Sequence, residues 1–101
     1  MDFKIEKSDG TTRIVVQEKR IDVGNAEEFR KILADYGEED FCDVIVDLKN
    51  VDFMDSSGLG ALIFGLRELK HHHGELKVSS LTKHVNSMFK ITRLNKIFKI
   101  V

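Results

Sequence analysis

The chain has 101 residues, enough for one compact domain and too few for two. Hydrophobic residues make up 42% and charged residues 33%, a soluble globular balance that excludes a disordered chain, and no apolar run approaches the ~20 residues of a membrane helix. The charged N-terminus MDFKIEKSDG lacks the apolar core of a signal peptide, the lone Cys42 forms no internal disulfide, and a net charge of −1 argues against direct nucleic-acid binding.

Elements follow in chain order. FKIEK alternates apolar and charged residues with Phe3 and Ile5 on one face; Ser8-Asp9-Gly10-Thr11 is a turn signal, and TTRIVVQ reads as the second strand of a hairpin. The first helix is expected to start at Asn25, capped by that side chain with Glu28 reaching back as in a capping box. Phe29, Ile32, Leu33 and Tyr36 form its apolar stripe, and Gly37 stops it. DVIVDL, residues 43–48, is a nearly continuous apolar run that predicts a central strand covered on both faces.

A second helix is expected from about Ser57 to His72, burying Leu59, Leu62, Ile63, Leu66 and Leu69, with Gly74 ending it. LKVSS is a further strand. Thr82 opens a third helix with Val85, Met88 and Phe89, and KIFKIV closes the chain as a strand. The order ββαβαβαβ predicts an α/β fold, one domain over residues 1–101, with a mixed, mostly parallel sheet and helices packed on it.

Few candidates for chemistry survive. His71, His72 and His73 are consecutive, so on a helix they point roughly 100° apart and do not converge on one metal ion. His84 has no partner in the sequence, and the chain has no Walker A lysine, HExxH, GxSxG or CxxC motif. No catalysis, metal or cofactor is expected. Charge is uneven: residues 1–55 hold 15 acids against 8 Lys or Arg, and residues 56–101 hold 2 against 8.

The segment Met54-Asp55-Ser56-Ser57-Gly58-Leu59-Gly60 stands apart, because it follows the central strand and opens a helix, where α/β sheets meet ligands and partners. Capping explains Asp55, Ser56 and Ser57. It does not explain two early glycines, each costing about 1 kcal/mol of helix propensity, unless another molecule's backbone approaches closely. A serine here suits phosphorylation, since free helix N–H groups and the dipole stabilise a phosphate of about −1.5 to −2 charges. An interface formed over the unmodified serine must then desolvate a near-dianion, so the segment is fitted to switch binding off. Phe64, one heptad after Ser57, shares that face and is either packed under a neighbour or free as a binding anchor.

At VIVDLKNVDFMDSSGLGALI (44–63) and the weaker IDVGNAEEF (21–29) the chain resembles the STAS domain family, specifically the bacterial anti-sigma factor antagonists, over essentially its whole length. The resemblance implies a cytoplasmic protein without membrane insertion that binds an anti-sigma factor serine kinase, is phosphorylated at Ser56 with Ser57 as the fallback acceptor, and is restored by a serine phosphatase. Together with the reading of the loop and of Phe64 above, it gives a partner-binding set of Asp22, Asn25, Asp55, Ser56, Ser57, Gly58, Leu59, Gly60 and Phe64, and it implies that Asp22 lies near the phosphorylation site. Two departures are visible: Glu18-Lys19-Arg20 stands where the family often has a glycine, and the chain ends at Val101 where members often carry a final helix. The second leaves a sheet face or edge less covered and suited to a weak homodimer. The alternative that keeps this fold is a STAS-type scaffold subunit of a stress-signalling or lipid-transport complex, without phosphoswitching.

Overall fold

In chain order the computed structural model, which describes residues 1–101, contains β1 (Phe3–Ser8), β2 (Thr11–Val16), β3 (Arg20–Ile21), α1 (Ala26–Gly37), β4 (Asp43–Asp47), β5 (Phe53–Met54), α2 (Ser56–His71), β6 (Glu75–Ser79), α3 (Lys83–Ile91), a 3-10 turn (Leu94–Lys96) and β7 (Lys99–Ile100). Five strands form one sheet in the spatial order β1-β2-β4-β6-β7; β1 and β2 pair antiparallel and every other neighbouring pair is parallel. The expected α/β architecture is therefore present. The β1–β2 hairpin turns at Asp9 and Gly10, both with positive φ, which a type I′ turn requires.

One face of the sheet carries the core. Ile14, Val16, Val44, Val46, Leu76 and Val78 join Phe29 and Leu33 of α1, Leu62 and Leu69 of α2, and Val85 and Phe89 of α3 in a single buried cluster. Gly65 lets α1 and α2 close on each other and on β6: a Cβ there would lie 2.7 Å from Leu33 Cδ1 and 3.2 Å from Leu76 Cδ2.

The structure corrects the expectation that β4 is covered on both faces. Ile45 is only half-buried and lies outside the core cluster, in register with Arg13 of β2 and Lys77 of β6. Arg13 instead seals that face by donating to Asp47 Oδ2 (3.2 Å) and Ser79 Oγ (3.1 Å), two of the buried polar side chains. The apolar run misled because Asp43 and Asp47 sit in the face-out register with Ile45.

Smaller differences share one cause, the tertiary partner. Asn25 precedes α1 but makes no side-chain cap, and Glu28 does not reach back. Glu28 pairs with the Met1 ammonium instead, and that hydrogen bond raises the ammonium pKa above its ordinary value. His73 (φ 64), not Gly74, is the left-handed residue that follows α2. The last strand is two residues long, because Phe98 turns into the core beside Phe89.

Two glycines of α2 behave oppositely. A Cβ on Gly58 would meet Met54 Cγ at 2.5 Å and the Ile21 carbonyl oxygen at 2.9 Å, whereas one on Gly60 meets only Arg30 Nη2 at 3.8 Å. Gly58→Ala is thus expected to destabilise by about 1–3 kcal/mol through overpacking against backbone. Gly60→Ala is expected to stabilise by up to about 1 kcal/mol through helix propensity. Urea denaturation of both variants checks the difference in sign.

Candidate functional site

A pair of two-residue strands outside the main sheet builds the site. β3 and β5 run parallel with Arg20 opposite Phe53 and Ile21 opposite Met54. The next residue on each side is therefore Asp22 and Asp55, and the Asp55 N–H donates to the Ile21 carbonyl (3.2 Å). Lys19 extends the junction by accepting from Asp52 N (2.8 Å) and Phe53 N (3.2 Å). The loop before α1 and the loop before α2 are fixed side by side, although 33 positions separate Asp22 from Asp55 in the chain.

Each loop is then locked by its own acid. Asp22 Oδ1 accepts from Gly24 N (2.9 Å), and Asn25 Oδ1 accepts from Asp22 N (3.0 Å) while Asn25 Nδ2 donates to the Arg20 carbonyl (2.8 Å). Asn25 is thus a brace of the loop rather than a helix cap. Asp55 caps α2: its Oδ1 accepts from Ser57 N (2.9 Å) and Gly58 N (3.2 Å). These N–H groups are consequently not free for an added anion, which corrects the expectation from the helix end alone.

Ser56 is exposed at the first position of α2, and Ser57 is half-buried. Gly58 and Leu59 are buried, so they hold the loop from beneath and offer no surface to a partner. Gly58 is explained by the Ile21 backbone of the same chain, not by the approach of another molecule. Gly60 and Phe64 are half-buried on the outer side of α2. Phe64 is covered by Arg30 of α1, whose guanidinium carbon stands 5.2 Å from the ring centroid.

Three features escaped the sequence pattern. A cavity of about 250 Å³ lies between the loops, lined by Val23, Ala26, Glu27, Arg30 and Ser57. Val23 beside it is 81% exposed, the most open of the large apolar side chains. Phe53, just ahead of the loop, is stacked by two partners, the Arg20 guanidinium (4.2 Å) and the His84 ring (4.9 Å, 18° between planes). No periodicity announces these contacts, since each joins residues on different elements; an exposed valine between Asp22 and Gly24 was the one available hint.

The STAS domain family model matches residues 2–101. The chain belongs to the STAS domain family. A Staphylococcus aureus protein, "Anti-sigma-B factor antagonist", is 29% identical over 80 residues, 79% of this chain and 74% of the relative. An anti-sigma-factor antagonist (STAS) domain protein from Planctomyces limnophilus superposes with a TM-score of 0.89 at 17% identity, covering 99% of this chain and 89% of its own. The Bacillus cell fate determinant SpoIIAA in its phosphorylated form gives 0.70 at 20% identity, over 99% and 91%. The two structural likenesses bear on the fold alone, and they agree with the layered α/β arrangement of this STAS domain.

Phe64 lies outside the core cluster, whereas Phe29 is fully buried in it. Phe64→Ala is expected to cost well under the roughly 3–5 kcal/mol of a core phenylalanine, and Phe29→Ala to cost that full amount. Equilibrium denaturation of the two variants measures the gap.

Proposed function

We propose that this STAS domain is an anti-sigma factor antagonist: its unphosphorylated form binds an anti-sigma factor that is also a serine kinase, so that a sigma factor is released. The kinase transfers the γ-phosphoryl group of ATP to Ser56 Oγ, leaving ADP and a proton, and a serine phosphatase hydrolyses the ester to restore binding. The chain itself supplies a docking face and an acceptor hydroxyl and performs no catalysis.

The observation that carries this reading is the position of Ser56. It is exposed at the first turn of α2, flanked by the fixed Asp22 and Asp55 loops, with Val23 open to solvent and a cavity at the neighbouring Ser57. Val23, Gly60 and Phe64 offer apolar surface around a neutral hydroxyl, and the two carboxylates frame it. Modification adds about −1.5 to −2 charges to that patch. Burying such a group against a partner without a matched cation costs more than an ordinary contact returns. Family membership and the antagonist relatives support the same assignment.

Ser56→Asp is expected to abolish capture of the partner while leaving the melting temperature within a degree or so, because the residue is exposed. Ser56→Ala is expected to keep binding and to resist switching off by ATP. A pull-down from native lysate with wild-type and Ser56→Asp baits, read by mass spectrometry, tests this: a serine-kinase-type ATPase should appear with the first and not the second. Identical partner sets for both baits would remove Ser56 from the switch.

A further inference from the structure

The helix N-terminus at Ser56 has a missing component. A phosphate there would sit between two acidic loops, and the Ser57 and Gly58 N–H groups that would ordinarily receive it are already held by Asp55. Arg20, the cation between the loops, is committed as well: its Nε pairs with Asp22 Oδ2 (3.4 Å) and its guanidinium lies on Phe53. Arg30 is different. It makes no ion pair and no hydrogen bond; its guanidinium rests over Phe64, close to Gly60, and lines the cavity that contains Ser57.

Helical spacing makes that position useful. Gly60 follows Ser56 by four residues and Phe64 by eight, so the three lie in one row along α2, each about 5–6 Å from the next. The guanidinium above Gly60 and Phe64 is therefore one turn from the Ser56 hydroxyl, a distance an arginine crosses by changing rotamer. Gly60 has no side chain to stand in the way. The competing contact is weak, because a half-exposed cation–π pair is worth less than a bidentate guanidinium–phosphate pair.

We propose that Arg30 is the residue that reads the phosphate on Ser56: upon modification its guanidinium leaves the Phe64 ring and pairs with the phosphate. This rests on the reading of Ser56 as the phosphorylated serine, and it adds a second change to the switch. One guanidinium does not balance a phosphate of about −1.5 to −2 charges, so the docking face gains a bulky, still net negative ion pair at one end and loses the cation that covered its aromatic residue at the other. Arg30 is a positioning residue in this scheme, because it acts on the modified serine and takes no part in phosphoryl transfer.

The test uses the full chain with phosphoserine incorporated at position 56, so it needs neither the kinase nor the partner. Phosphorus NMR follows the second ionisation of the phosphate, ordinarily near about 6, and proton NMR follows the Phe64 ring. In the Arg30→Gln chain the phosphate should titrate about half a unit higher than in the wild type, a roughly threefold change in proton affinity, since an adjacent cation favours the dianion. Arg30→Lys should restore most of that difference. The Phe64 resonances should shift on phosphorylation in the wild type and stay still in Arg30→Gln. A common titration midpoint in the wild type and Arg30→Gln, or a Phe64 ring indifferent to the phosphate, overturns the assignment. Mass spectrometry of the native protein reads Ser56 modification separately, so a failure of the functional reading is distinguishable from a failure of the Arg30 coupling.

Discussion

The short parallel pairing of β3 with β5 is the constraint on which the site depends. Two residues on each side suffice, because the pairing is reinforced from three directions: the Lys19 carbonyl accepts from two N–H groups, Asp55 donates to Ile21, and Ile21 and Met54 are both fully buried. Without it, the Asp22 and Asp55 loops would be unrelated turns. Gly58 belongs to the same constraint, since only a residue without Cβ lets α2 start directly against the Ile21 carbonyl. The loop before α2 is therefore a fixed feature, built from backbone contacts that a change at exposed Ser56 does not touch.

Electrostatics at the site are organised by which groups are committed and which are not. Asp22 and Asp55 each spend Oδ1 on backbone N–H groups of their own loops, which fixes two negative charges beside the proposed acceptor serine. Arg20 is held by Asp22 and by the Phe53 ring, itself backed by His84. Such a surface favours a neutral hydroxyl at its centre and penalises an anion, unless a cation arrives. Arg30 is the cation placed to do so, and its present contact with Phe64 links charge at one end of the α2 face to aromatic exposure at the other.

The open sheet face follows a different rule. Parallel strands are usually covered on both sides, yet β4 turns Ile45 outward between Arg13 and Lys77. Arg13 makes this tolerable by satisfying the buried Asp47 and Ser79, so the polar groups of that face are hydrogen-bonded without a second set of helices. The helices are concentrated on the core side, and α2, wedged onto α1 and β6 through Gly65, carries the Asp55–Ser56 loop at its N-terminus.

Sequence periodicity alone determined the elements that are long enough to show a period: the hairpin, the three helices and their buried stripes, the mostly parallel sheet, and the place of DSSGLG at the start of a helix. These are local properties, written in spacings of two or of three and four residues. What only the tertiary structure decided lies between elements. Asn25 looked like a cap and is a brace, Glu28 looked like its partner and holds the N-terminus, and Gly58 answers to the Ile21 carbonyl. Two-residue strands have no period to detect, and the contact of Arg30 with Phe64 joins helices whose relative placement is set by core packing. A sequence pattern records which face of an element is apolar; it does not record which neighbour that face, or the polar side chains at its rim, will meet.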